Sequence, residues 1–212
     1  WLLIGSGATG SATAVVSGVG TVVHAGANTV VGYEGVGTLT LSDGATLRGP
    51  LRVGNVAGSQ GTFNIGAAAS DAAAAPGVVE SGTLTFGAAS PGTVVFNHTG
   101  TDYSFAPVFS GAGTVRHVAG TTSLTGNSGA FSGNTIVDGG TLRVLAALGG
   151  SMTVNAGGTL AGSGTLGATQ VNANGTIAPT GTLAVNGNLG LAAGATYAVE
   201  VNNGASSQIT AT

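Results

Sequence analysis

Cysteine is absent from the 212 residues, and so is lysine. Without thiols there is neither a disulfide framework nor a thiolate metal site. Only 5% of residues are charged, against roughly 25% in an average soluble protein. The four basic residues, Arg48, Arg52, Arg116 and Arg143, form no block, and the formal net charge is −3. Nucleic-acid binding needs several Lys or Arg contacts to phosphates, so that partner class is excluded. Proline numbers only 5, and glycine does not fall at every third position, which excludes a collagen triple helix. No stretch of roughly 20 apolar residues is present to span a membrane as a helix. The opening residues, Trp1-Leu2-Leu3-Ile4, lack a basic n-region and a cleavage pattern. The pattern there starts mid-unit, so the chain is expected to be part of something larger.

What is abundant is glycine, 41 residues, alongside 42% apolar residues and a mean hydropathy of +0.44. A disordered chain would not be this apolar. A Gly/Ser linker would not carry so much Val, Leu, Ile and Thr. Turn-rich β structure remains. A unit recurs: Gly-Thr, an apolar residue, a small or polar residue, another apolar residue. Examples are Gly37-Thr38-Leu39-Thr40-Leu41, Gly61-Thr62-Phe63-Asn64-Ile65, Gly140-Thr141-Leu142-Arg143-Val144 and Gly181-Thr182-Leu183-Ala184-Val185. Each alternates with period two, the mark of a half-buried strand. The turn dipeptides Asp43-Gly44, Asp138-Gly139 and Asn174-Gly175 interrupt the pattern. The alanine-rich run from Ala67 to Ala75 has no amphipathic stripe and reads as a loop excursion.

Many short strands fit a sandwich, a barrel or a solenoid. Self-similarity favours the solenoid, which reuses one coil. The Gly-Thr positions return at roughly 17 to 27 residues, the size of one coil of a three-stranded β-helix. The predicted fold is therefore all-β, a right-handed parallel β-helix, with looser coils over 1–110 and regular ones over 111–212. Apolar residues point inward, threonine outward, and glycine turns the corners. Val-Asn pairs ending in Asn155, Asn172, Asn186 and Asn202 recur at nearly one-coil spacing. They are expected to stack as an asparagine ladder at one corner. The plain alternative is four unrelated turn residues, since asparagine tolerates left-handed φ.

The segment Gly133-Asn134-Thr135-Ile136-Val137-Asp138-Gly139-Gly140-Thr141-Leu142-Arg143-Val144 resembles the passenger-associated β-strand repeat of autotransporters (type V secretion). The continuation from Val154 through Leu166 completes that pattern. Residues 181–201 are similar to the family's next segment, close to the translocator barrel. The family often has a longer Pro-Gly-Asn-Ser-type loop where this chain has Ala178-Pro179-Thr180. The resemblance implies export, passage through a C-terminal outer-membrane barrel lying outside this chain, and display on a bacterial cell surface. It implies a non-catalytic stalk or adhesin, with a host-cell or matrix ligand as partner. The alternatives are a secreted β-helical carbohydrate-active enzyme and a structural surface-layer protein.

Candidate chemistry is sparse: three histidines, four aspartates and three glutamates. No nucleophile elbow with strand-to-helix context is present. A glycosidase needs two carboxylates about 5–10 Å apart, whereas Asp43 and Asp138 precede turn glycines and are expected to bond locally. The most polar and aromatic patch is Asn97-His98-Thr99-Gly100-Thr101-Asp102-Tyr103. His98, Asp102 and Tyr103 are the candidate ligand-binding residues if they converge. A structural role is the competing reading, because the resembled family often carries a similar Phe-Asn-His segment. One His and one Asp make a poor metal site, so no metal, cofactor or catalytic residue is expected. Arg48 with Arg52, or Arg116 beside His117, could touch a carboxylate or sulfated glycan, with surface solvation as the default.

Overall fold

The period-two units become strands. In Val36–Ser42 the side chains of Leu39 and Leu41 are buried while Thr38 and Thr40 are half-buried; Gly140–Val144 repeats this with Leu142 and Val144 inside. The computed structural model describes residues 1–90, 92–202 and 205–212, and contains strands and turns but no helix among them.

The strands stack in three series. The first runs Leu2–Ile4, Thr29–Val31, Leu51–Val53, Thr83–Phe86 and Val108–Ser110. The second begins Ser11–Ser17, Val36–Ser42, Gln60–Gly66, Thr93–Asn97 and Thr114–Ala119. It continues through Asn134–Val137, Ala147–Val154 and Thr165–Val171. The third is divided into two separate sheets, one of Val22–His24, Thr46–Arg48 and Val78–Glu80, and one further along the chain of Tyr103–Phe105, Thr121–Leu124, Gly140–Val144, Gly158–Gly162, Thr176–Pro179 and Thr196–Tyr197. Pairing between successive coils is parallel throughout these series. Among the described residues the one antiparallel strand pair is Val201–Asn202 with Ala205–Ser206. This is a parallel β-helix, as the repeat predicted.

Coil length is not constant. Thr40 and Asn64, bonded between neighbouring coils, are 24 residues apart; Asn155 and Asn172 are 17 apart. The shortening comes from merging two sides into one bent strand. In Ala147–Val154 the register to Thr165–Val171 shifts between Leu148 and Ser151. Ala67 to Ala75 forms no strand or helix, as expected of an excursion.

The repeat's glycine has a steric cause. A Cβ on Gly133 would strike the Gly113 carbonyl oxygen, one on Gly150 that of Gly133, and one on Gly167 that of Gly150. Successive coils come so close at this corner that only hydrogen fits. Of the three predicted turn dipeptides, Asp43 and Asn174 take positive φ (52° and 61°); at the third it is Gly140, not Asp138, that does so.

Inside, side chains form vertical columns. One runs Val16, Leu41, Ile65, Phe96, His117, Val137, Val154 and Val171, and its next register partner, Leu191, is exposed. Another runs Tyr103, Thr122, Leu142, Leu160 and Ile177, and its next register partner, Tyr197, is exposed. Each fully buried aliphatic contributes about 1.5–3 kcal/mol. Phe86, Phe96, Phe105, Phe109 and Phe131 cluster in the middle coils, with the Phe105 and Phe109 rings stacked at 5.2 Å.

Candidate functional site

Both long columns change character at the same level. His117 interrupts the first between Phe96 and Val137; Thr122 interrupts the second between Tyr103 and Leu142. The two strands are consecutive around the coil, so these inward side chains meet: His117 Nε2 is 3.1 Å from Thr122 Oγ1. His98, just past Thr93–Asn97, reaches the same hydroxyl through Nε2 at 2.7 Å. All three residues are 0% exposed.

The network fixes both tautomers. The Gly100 N–H donates to His98 Nδ1 at 3.1 Å, so the His98 proton sits on Nε2 and is given to Thr122. His117 Nδ1 faces the Gly139 carbonyl at 2.8 Å and must be the donor there. Its Nε2 is then bare and accepts the Thr122 O–H. Every polar group in this network is satisfied with both rings neutral, as buried groups require. Burial lowers His98 from its ordinary value to about 4, aided by repulsion from His117. Burial also lowers His117, against the opposing pull of the Gly139 bond.

Of the patch read from sequence, the structure brings together His98 and Tyr103, with rings 5.0 Å apart. The Tyr103 hydroxyl donates to the Gly77 carbonyl, and burial raises its pKa. Asp102 is exposed and makes no side-chain hydrogen bond or ion pair among the described residues. The three therefore offer no joint surface to a ligand. His117 and Thr122 belong to this cluster but were not singled out for it. The signal for His117 was available, because alternation in Thr114-Val115-Arg116-His117 places Val115 and His117 on one side. Thr122 carried no such mark.

The asparagine positions divide. Asn155 Nδ2 donates to Asp138 Oδ1 at 2.7 Å, and Asn172 Nδ2 to Asn155 Oδ1 at 2.8 Å. Asp138 also accepts from Arg116 at 2.6 Å. Burial pushes the Asp138 carboxyl up, but these donors outweigh it and hold it below the usual range. Asn186 stands apart and exposed, its N–H bonded to the Leu166 carbonyl. Val171 has Leu191 as its neighbour in the next coil, so Ala192 comes after Asn172 in the stack. Asn202 lies outside the residues whose side chains are described. Asn155→Ala removes two side-chain bonds and should cost about 1–2 kcal/mol. Asn186→Ala should stay within about 0.5 kcal/mol. Urea unfolding followed by circular dichroism separates the two, and equal losses would refute the stacked arrangement.

Two of the four arginines are ion-paired. Arg48 pairs with Glu80 at 2.6 Å, both exposed, as Arg116 does with Asp138. Arg52 lines an open trough of about 370 Å³ with Asn28, Ser81 and Thr83. A second trough, of about 530 Å³, runs along the glycine corner at Gly149, Gly150 and Gly167. Asp43 accepts from the hydroxyls of Ser42 beside it and of Ser17 on the preceding coil, so its partners are side chains and one lies a coil away, where purely local bonding was expected. No group of three His, Cys, Asp or Glu among the described residues is placed to hold a metal ion.

No family model matches the chain. Over 151 residues it is 35% identical to the uncharacterized lipoprotein YdeK of Escherichia coli (strain K12). That match spans 66% of this chain but 11% of that protein. Over 94 residues it is 38% identical to the adhesin BmaC autotransporter of Brucella suis biovar 1 (strain 1330), spanning 42% of this chain and 3% of that protein. The chain thus corresponds to a small part of either relative's length. Taken with the stacked parallel coils, these matches bear out the resemblance carried by the Gly-Thr repeat: this is a parallel β-helical segment similar, over part of its length, to an autotransporter adhesin.

Proposed function

We propose that the chain serves as a stalk in the adhesin-like passenger of a bacterial autotransporter, displayed at the cell surface and non-catalytic. The reading makes 1–110 and 111–212 two stretches of one rigid segment. Its partners would be an outer-membrane barrel encoded elsewhere in the same protein and a ligand on a host cell or matrix. The observation that supports it best is the continuous parallel stack of the second series, from Ser11–Ser17 to Thr165–Val171, whose backbone hydrogen bonds run from coil to coil along the axis. A solenoid of this kind transmits length without needing a large globular core. The outward side chains suit an extended contact surface: Thr141, Thr159 and Thr176 succeed one another in register on the third series.

The test is deletion of residues 133–201 from the full-length protein, with antibody labelling of intact cells. Surface display should fall sharply, because the regular coils would no longer fold outside the cell and draw out the rest. Undiminished display would overturn that role. Replacing the outward Thr141, Thr159 and Thr176 by lysine should leave display intact and reduce cell attachment; unchanged attachment would argue for a spacer without ligand contacts.

A further inference from the structure

We propose that the His98–Thr122–His117 chain is an acid-released clasp. Neutral, it closes three successive coils on one another; protonated, it opens the stretch 93–124 while the coils from Gly140 onward stay closed.

The bonds run in a single direction: Gly100 N–H to His98 Nδ1, His98 Nε2–H to Thr122 Oγ1, Thr122 O–H to His117 Nε2, His117 Nδ1–H to the Gly139 carbonyl. They join the turn after Thr93–Asn97, the two strands of the next coil, and the corner of the coil beyond. A second proton has no place in this chain. On His98 Nδ1 it would confront the Gly100 N–H. On His117 Nε2 it would deprive the Thr122 hydroxyl of its acceptor, leaving a buried donor unsatisfied. Gly120, at φ 87°, leaves the space that the His98 ring fills, since a Cβ there would strike its Nδ1. The ring is thus held closely, with no room to turn.

Among the described residues, nothing nearby can neutralise a charge placed there. Tyr103 is the titratable group facing His98 from Tyr103–Phe105, and its hydroxyl is committed to Gly77. From Thr114–Ala119 and the corner after Asn134–Val137, Arg116 and Asp138 pair with each other on the exterior. Asp102 and Asp71, on the flanking loops, are exposed. The Asp71 backbone carbonyl, not its carboxylate, is bonded to Asn97. A buried charge without a partner is costly. Below this level the inward columns continue as Val137, Val154 and Val171, and as Leu142, Leu160 and Ile177, none of which titrates. The acid response is therefore local to the middle coils.

The sign comes from the direction of the shift. Both folded-state values lie below that of an unfolded histidine. The clasp's contribution is complete above about pH 6.5, is lost as pH falls below that, and levels off near 4, where folded His98 takes up its own proton. Hydrogen–deuterium exchange of the 212-residue chain, corrected for the intrinsic pH dependence of exchange, reads this directly. Between pH 7.5 and 4.5 the opening constant of peptides within 93–124 should rise at least about fiftyfold, while peptides within 141–185 stay unchanged. The His98→Gln/His117→Gln double variant should lose the acid step. Should that variant not fold, the imidazole C2-proton resonances of the unaltered chain decide: the His98 ring is expected to remain neutral at pH 5.5 in the folded state, and the His117 ring to titrate below its ordinary value. Titration of either ring near 6.5, or equal pH responses in the two segments, would overturn the clasp.

Discussion

Gly150→Ala will destabilise the chain by at least about 3 kcal/mol, out of proportion to one added methyl group. Two effects combine. Gly150 sits at φ 74°, and its new Cβ would overlap the Gly133 carbonyl oxygen. That oxygen accepts the Ser151 N–H at 3.0 Å, so moving it breaks the ladder between coils. Left-handed φ alone costs an alanine roughly 1–2 kcal/mol. Gly20 provides the control: it has φ 84° and open space around its Cβ direction. Gly20→Ala should therefore lose only about 1 kcal/mol. Urea unfolding by far-ultraviolet circular dichroism measures both. Equal losses would mean that backbone conformation, and not the close approach of coils, is why glycine stands at this corner. Gly133 and Gly167 should show the steric part of this loss without the conformational part, since each meets the carbonyl of the coil before it but neither has positive φ.

Phe109→Ala is the second large effect, expected at about 3–5 kcal/mol. Phe109 is 1% exposed. Its ring lies 5.2 Å from Phe105, 6.0 Å from Phe86 and 5.9 Å from Phe131. Rings contributed by four segments fill the bore of the middle coils, and no single neighbour can collapse into the vacated volume. A solenoid's stability is a sum of coil and interface terms, so the loss should be felt first at 83–131. Exchange protection over 141–185 should persist after protection of the aromatic coils has weakened. A loss under about 1 kcal/mol would show the aromatic cluster to be loosely packed and the apolar columns to carry the fold.

The two changes bear on different parts of what could be read in advance. Period-two alternation in Gly61-Thr62-Phe63-Asn64-Ile65 already assigned Phe63 and Ile65 to the inside, and repetition of the unit already chose a solenoid over a sandwich. The phenylalanine cluster could not be read this way, because Phe86, Phe109 and Phe131 occupy unlike positions in the repeat. They meet only after three coils are stacked. The asparagines make the same point. Asn155 and Asn172 lie 17 residues apart and bond, whereas Asn186, at similar sequence spacing, stands beside a different part of the preceding strand. The reason is the split there: Thr165–Val171 pairs with Thr182–Val185 at one end and Leu189–Leu191 at the other. Asp138, which heads the ladder, was visible only as a turn residue.

Local chemistry, then, is what the chain's own order of residues determined: which side chains point inward, where glycine must stand, and that a nearly charge-free, thiol-free polymer would stack as parallel coils. These properties come from alternation and steric size, both set by a few consecutive residues. The tertiary structure alone decided which inward residues share a level. Coil length varies with each corner and excursion, and one residue more or less in a coil changes every vertical partner beyond it. That is why His98, Thr122 and His117, unremarkable singly and separated along the chain, become one buried hydrogen-bonded unit only when the coils close.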